Sequence, residues 1–371
     1  MNPVELARPE IRALQPYSSA RMEAYGGDVW LNANESPWLP FGCAEGWNRY
    51  PDPQPAALIA RLAELYGVEP EQLLVGRGSD EGIDLLVRAF CAAGRDAIMV
   101  SPPTFGMYAT CARVQGAGIV EAPLGCDFAL DVDAVLAAMT PAVKLVFVCS
   151  PNNPAGNAVP RAEILRLAVA LEGRALLVVD EAYVEFVERG DGFGSVVDCL
   201  DAHANLVLLR TLSKAWALAG VRMGCVLADA RVIALVRKIM PPYPLPLPCA
   251  EAALRALGED GECAMRERVA AIRGERARMR GELMALACVR EVLPSQANFL
   301  AVRLANAGAG YAALLKAGVV VRDVRRYPRL ADALRISIGT AAENDRVLEV
   351  LRGLPNVVAT STADLRVELP A

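Results

Sequence analysis

The chain has 371 residues, carries a formal net charge of −5 and is 54% apolar. That length suits two domains and lets the chain bury a core without disulfides or metals. The acidic balance argues against a nucleic-acid partner, and the short basic run at 322–326 reads as a solvated or anion-binding loop.

The start of the chain carries Glu5, Arg8, Glu10 and Arg12, so a signal peptide is not expected. No run of about 18 apolar residues predicts a membrane span. Ten cysteines without a CxxC pair, and one histidine (His203), argue against a Cys/His zinc site, so no metal is assigned. Scattered cysteines suggest a reducing, cytoplasmic compartment.

Residues 1–35 are expected to form an arm that joins a second unit and a dimer partner. From 36 to 245 short apolar runs alternate with segments of helical length such as 80–92 and 162–172. The runs are 73–75, 97–100, 118–122, 145–149, 176–179, 205–209 and 224–228. Several are rich in Val, Leu and Ile and lack a period of two, as strands buried on both faces do. The expected fold class is α/β, a large domain whose mainly parallel seven-stranded sheet lies between helices. At 241–248 alternating prolines exclude a helix or central strand and suggest a hinge. A charged stretch at 262–286 is expected to be a helix with i,i+4 pairs on a solvated face. Strand candidates at 298–302, 319–322 and 334–338 then place a smaller α/β domain within 246–371.

Four strand ends carry chemistry. The first is Val75-Gly76-Arg77-Gly78-Ser79-Asp80-Glu81-Gly82, a Gly-rich turn opening a helix, which offers free N–H groups to an anion. It matches neither the GxxxxGK[ST] nor the GxGxxG spacing, which disfavours a P-loop and a dinucleotide fold. The second is Ser150-Pro151-Asn152-Asn153-Pro154-Ala155-Gly156, a turn able to aim an amide at a ring oxygen and also readable as a plain strand-to-helix turn. The third is Val178-Val179-Asp180-Glu181-Ala182-Tyr183, where a buried strand ends in a carboxylate. Asp180 suits a pyridinium nitrogen, or a helix cap, and Tyr183 can donate to a phenolic oxygen. The fourth is Thr211-Leu212-Ser213-Lys214-Ala215-Trp216, followed by Gly220-Val221-Arg222-Met223-Gly224. Lys214 lies where open α/β sheets bind ligands, and burial with nearby positive charge would lower its pKa. Ser213 and Arg222 suit a phosphate. Alone, each segment also reads as ordinary structure. Together they supply a phosphate cradle, a ring-oxygen donor, a pyridinium carboxylate and a Schiff-base lysine, which is what pyridoxal 5'-phosphate requires.

At these residues the chain resembles the fold-type-I, pyridoxal-phosphate-dependent class-II aminotransferases, and within them the histidinol-phosphate aminotransferase family. The resemblance runs from Leu14-Gln15-Pro16-Tyr17 to Leu334-Arg335-Ile336-Ser337-Ile338-Gly339. Between them lie Leu31-Asn32-Ala33-Asn34-Glu35-Ser36-Pro37, Arg49-Tyr50-Pro51-Asp52-Pro53-Gln54, Pro103-Thr104-Phe105-Gly106-Met107-Tyr108 and Val320-Val321-Arg322-Asp323-Val324. Ala155 and Ser36 depart from the Thr and Asn the family often has there. Neither position is expected to do chemistry.

The resemblance implies amino transfer between L-histidinol phosphate and 2-oxoglutarate, a step of histidine biosynthesis, with catalytic residues Lys214, Asp180 and Tyr183. It implies that Asn153 and Tyr183 bond the phenolic oxygen and that Tyr108 stacks on the cofactor ring. Gly78, Ser79, Asp80, Ser213 and Arg222 would line its phosphate end, Asp80 through its backbone N–H. Tyr50 would reach the phosphate of the neighbouring subunit in a homodimer. Arg322 and Arg335 would grip the substrate's anionic end, with Tyr17 and Asn34 nearby. Broad-specificity aromatic aminotransferases and phosphothreonine decarboxylases share the core motifs and are the alternatives. A non-catalytic regulator of this fold would need a DNA-binding unit, for which no segment or basic helix is visible.

Overall fold

Each of the seven apolar runs is a strand of one sheet: β1 (Leu73–Gly76), β2 (Ala97–Val100), β3 (Gly118–Glu121), β4 (Val143–Cys149), β5 (Leu176–Asp180), β6 (Leu206–Thr211) and β7 (Gly224–Ala228). The structure is a computed structural model that describes residues 2–18, 29–42, 46–188, 190 and 192–354. The strand order is β1-β7-β6-β5-β4-β2-β3. Only β7 runs against its neighbours; the other pairings are parallel. Every residue of β1, β2, β5, β6 and β7 is buried, which explains why these runs do not alternate. Edge strand β3 is the most exposed, and in β4 Lys144 is also only partly buried.

Apolar side chains cover both faces. Val75, Val179 and Leu208 pack with Leu62 of helix Ala56–Tyr66 and Leu167 of helix Arg161–Ala170. Leu74, Val178 and Leu209 face the other way, toward Leu86 of helix Ser79–Phe90, Cys111 of helix Met107–Gln115 and Val236 of helix Ala230–Arg237.

The second sheet has four antiparallel strands, β8 (Val289–Val292), β9 (Phe299–Leu304), β10 (Arg322–Asp323) and β11 (Ala333–Ser337), in the order β10-β11-β9-β8. Two details differ from expectation. β8 is an added strand, and β10 is only two residues long. The charged stretch is the 26-residue helix Glu259–Met284. Arg278 bonds Glu275 and Glu282 along its exposed side. Val269 packs into the large sheet's core and Met279 and Leu283 into the small sheet's core, so this helix ties the units together. The proline stretch is non-helical only to Pro246. Leu247 starts a helix with Pro248 in its first turn, where the missing N–H costs nothing.

The arm also differs from expectation where it is described. Val4, Leu6, Ala7 and Ile11 pack on the large sheet's helices, not on the small sheet. The Arg8 N–H donates to Ala89 O at 3.1 Å, and Lys238 Nζ donates to Arg12 O at 2.9 Å. These apolar side chains complete a helical face that the large unit would otherwise leave open.

Candidate active site

β1, β4, β5 and β6 point the same way and β7 points back, so four C-terminal ends and one N-terminal end share one edge of the sheet. Ligands of open α/β sheets bind at this edge. The loops leaving it enclose a cavity of about 300 Å³. All the expected site residues line it except Tyr17, Asn34, Tyr50 and Tyr108.

One end of the cavity is built for an anion. Helix Ser79–Phe90 starts after Gly78, whose φ of +82° favours glycine, and its first N–H groups face the cavity edge. Opposite stands Gly224, the first residue of β7. A Cβ there would lie 2.7 Å from Gly78 C and Ser79 N. The sheet therefore needs glycine at 224 to bring the cradle against it. Gly224→Ala should lower stability by about 1–3 kcal/mol, the cost of overpacking a tight contact, seen as a lower thermal midpoint. Arg222 completes this end. Its Nη1 donates to Ala219 O at 3.1 Å and lies 3.5 Å from Ser213 Oγ, while Nη2 is 3.4 Å from Asp80 Oδ2. The Asp80 carboxylate is turned to Arg222, which leaves the helix N–H groups for an anion.

The floor holds a buried carboxylate. Asp180, 2% exposed, ends β5. Its Oδ2 accepts from Tyr108 Oη at 2.7 Å and its Oδ1 from the Ala182 N–H at 3.1 Å. No cation pairs with it among the described residues, and burial pushes its pKa up to about 6. A carboxylate so placed is short of a positive partner.

Tyr108 is thus a correction to the sequence reading. It is fully buried, stacked on Phe147 at 4.7 Å, and holds Asp180 instead of facing the cavity. The second residue of helix Met107–Gln115 points into the core. Phe105, three residues earlier and edge-on to Tyr108, lines the cavity in its place, together with Tyr183 and Tyr327.

Asn153 and Tyr183 meet beside the carboxylate, Asn153 Nδ2 lying 3.4 Å from Tyr183 Oη. The loop that carries Tyr183 is fixed from below by Arg210, which donates to Glu181 Oε2 at 2.9 Å and Glu185 Oε1 at 2.8 Å. Lys214 Nζ lies 5.5 Å from the centre of the Tyr183 ring. Burial, then the Arg335 and Arg222 guanidinium groups, lower its pKa, opposed by Asp80 and Asp180. Each of these lowering influences works toward the nucleophilic form of the amine, more than for a lysine free in water.

The far wall comes from the small sheet. β10 and β11 pair Arg322 directly with Arg335, so both side chains stand on one face and reach the cavity. Arg335 Nη1 donates to Asn153 Oδ1, and its Nε is buried without a partner. Burial and the neighbouring Arg322 lower the Arg335 pKa, so an anion entering here would relieve like-charge repulsion. Cys149, Thr211, Ala182 and Tyr327 also line the cavity. Sequence reasoning missed them, although Cys149 and Thr211 each end a strand at the ligand edge.

The remaining expected residues lie elsewhere in this chain. Tyr17 is 71% exposed and lines a separate groove beside the proline stretch. Asn34 is exposed at φ +55°. Tyr50 is stacked on Tyr243 at 4.3 Å.

The donor set fits one group closely. An anion cradle, a buried carboxylate, paired donors beside it and a lysine with a lowered pKa match a phosphate ester, a pyridinium nitrogen, a phenolic oxygen and an aldehyde. These are the functional groups of pyridoxal 5'-phosphate.

A family model described as aminotransferase class I and II matches residues 27–351. The chain is 54% identical over 354 residues to histidinol-phosphate aminotransferase of Xanthomonas campestris pv. campestris (strain 8004), covering 94% of this chain and 97% of that protein. It is 54% identical over 351 residues to the protein of the same name from Stenotrophomonas maltophilia (strain R551-3), covering 93% and 95%. The crystal structure of histidinol-phosphate aminotransferase from Sinorhizobium meliloti in complex with pyridoxal-5'-phosphate superposes with a TM-score of 0.74 at 26% identity, covering 93% of this chain and 96% of that one.

Proposed function

The chain belongs to the class I and II aminotransferase family, and on that premise we propose that it moves the amino group of L-histidinol phosphate to 2-oxoglutarate, with pyridoxal 5'-phosphate as cofactor, giving imidazole acetol phosphate and L-glutamate. The observation that carries the reading is Asp180, a buried carboxylate with no cation partner among the described residues, in a cavity it shares with a lysine of lowered pKa. When bound, the cofactor supplies an aldehyde for the amino group and a ring that draws electron density from the substrate Cα.

The protein's own groups do the rest. Ser79, Ser213, Arg222 and the N–H groups after Gly78 hold the cofactor phosphate. Asp180, held by Tyr108 and the Ala182 N–H, keeps the ring nitrogen protonated. Asn153 and Tyr183 orient the phenolic oxygen. Lys214 is the attachment point and then the general base that takes the proton from the substrate Cα. Arg322 and Arg335 bind the phosphate of one substrate and a carboxylate of the other, so one site serves both half-reactions in ping-pong order. The large domain is read as 36–245 and the small as 246–371. The enzyme is read as a cytoplasmic homodimer whose Tyr50 reaches the neighbouring subunit's phosphate site.

The test presents cofactor-loaded protein with L-histidinol phosphate, L-phenylalanine and phosphothreonine in single-turnover experiments, followed by the cofactor's absorption. Histidinol phosphate should react at far lower concentration than phenylalanine. Equal reaction with phenylalanine would make the enzyme a broad aromatic aminotransferase. Carbon dioxide released from phosphothreonine would make it a decarboxylase.

A further inference from the structure

We infer that Tyr327 is a specificity-determining residue whose hydroxyl donates to the substrate phosphate beside Arg322 and Arg335 and lets the site tell a phosphate monoester from a carboxylate. The inference rests on the proposed reaction and deepens it.

Tyr327 is half-buried on the cavity wall, with Arg322, Arg335 and Phe105 on the same wall. Its hydroxyl reaches across to the large unit, 3.9 Å from where a Cβ would stand on Gly106. It is close enough to Arg335 to act on that guanidinium electrostatically. Neither the Tyr327 hydroxyl nor the Arg322 guanidinium has a hydrogen-bond or ion-pair partner among the described residues. Two unused donors therefore face one cavity beside a third, Arg335, which is already engaged with Asn153.

The loop that presents Tyr327 is held in place. Its N–H donates to Val324 O at 3.0 Å, and the Leu330 N–H donates to Tyr327 O at 3.2 Å. Val324 and Leu330 are buried with Leu124 and Phe128 of the large unit. Arg329 donates to Leu124 O at 3.0 Å and to Gly125 O at 2.5 Å. The phenol is thus fixed across the boundary between the units before any substrate arrives.

The chemistry follows from counting acceptors. An arginine fork satisfies the two oxygens of a carboxylate. A phosphate monoester has three terminal oxygens, one more than a single fork covers, and Arg335 already spends one nitrogen on Asn153, so the Tyr327 hydroxyl can serve the third. A neutral hydroxyl fixed beside the arginines does so without adding charge, so it favours phosphate over carboxylate where a third cation would favour both.

The experiment measures both half-reactions of the cofactor-loaded enzyme, with L-histidinol phosphate and with L-glutamate, for the wild type and Tyr327→Phe. The variant should lose about tenfold to a hundredfold in kcat/KM for histidinol phosphate, mainly through KM, as for one lost hydrogen bond to a charged group. Its glutamate half-reaction should change less than about twofold, because a carboxylate keeps its arginine fork. Inhibition by inorganic phosphate should weaken in parallel while inhibition by succinate stays. Equal losses for both amino donors, or no loss for histidinol phosphate, would overturn the role given to Tyr327 and leave the proposed reaction standing. A wild-type enzyme that takes glutamate but not histidinol phosphate would overturn the proposed reaction, and this inference with it.

Discussion

Lys214→Ala should lower turnover by more than about 10⁴-fold, because one residue supplies both the attachment point and the general base, and a positioned base alone is worth about 10²–10⁴-fold. The fold should survive the change. Lys214 is solvent-accessible through the cavity, and its ammonium is disfavoured where it stands by burial and by Arg335 and Arg222. A lowered folded-state pKa means that the protonated lysine opposes folding below that pKa, and that this cost fades as pH rises toward the ordinary lysine value. The alanine variant without cofactor should therefore melt no lower than the wild type at neutral pH. A second readout is independent of turnover. Borohydride treatment of the loaded wild type should fix the cofactor covalently on the segment 211–222, between the Arg210 and Arg222 cleavage sites for trypsin. Mass spectrometry should find the added mass on Lys214 and none in the variant. Added mass on another lysine would refute the assignment.

The sheet was legible because burial on both faces leaves a mark on composition. Val178 and Val179 point to opposite sides and both meet apolar helices, so neither position could be polar. The same reasoning made Asp180 conspicuous, since a carboxylate closing such a run faces either a ligand or a cost. β8 left no such mark. Its sequence Val-Arg-Glu-Val is mostly exposed, and pairing with β9 holds it as a strand. β10 was overextended for the reverse reason: Val319 and Val321 are apolar but only partly buried, and the ladder with β11 spans just Arg322 and Asp323.

Within the site, what local pattern could not decide was orientation. Phe105 and Tyr108 are both aromatic and both sit in the segment after β2, and nothing in their spacing says which one faces the cavity. The helix start at Met107 settles it, turning Tyr108 inward onto Phe147 and Asp180. Contacts between the units were equally hidden. Arg329 meets Leu124 and Gly125 across some two hundred positions of sequence, and Tyr327 reaches the cavity only because that contact forms. Arg322 and Arg335 could be paired as a substrate grip only by resemblance; their cross-strand register is what places them side by side.

Asp180→Asn separates what the carboxylate does for the reaction from what it costs the fold. In the cofactor-free protein burial raises the Asp180 pKa from 3.8 to about 6, so the native state binds more protons than the unfolded chain between those values. Stability then falls as pH rises through that window, by about 3 kcal/mol for a shift of this size, and stays reduced above it. Asparagine removes the charge and keeps an acceptor for the Ala182 N–H, while the Tyr108 hydroxyl can turn to accept from the new amide. The variant without cofactor should therefore melt higher than the wild type at pH 8 and match it near pH 4. With cofactor the order should reverse, since the wild type gains the attraction between Asp180 and the protonated ring nitrogen and the variant does not. Turnover should fall by about 10²–10³-fold, the usual effect of losing one fixed electrostatic partner of the reacting system. Melting curves at the two pH values, each with and without pyridoxal 5'-phosphate, decide the matter. A variant less stable than the wild type at pH 8 without cofactor would show that Asp180 is a structural anchor and not the partner of the ring nitrogen.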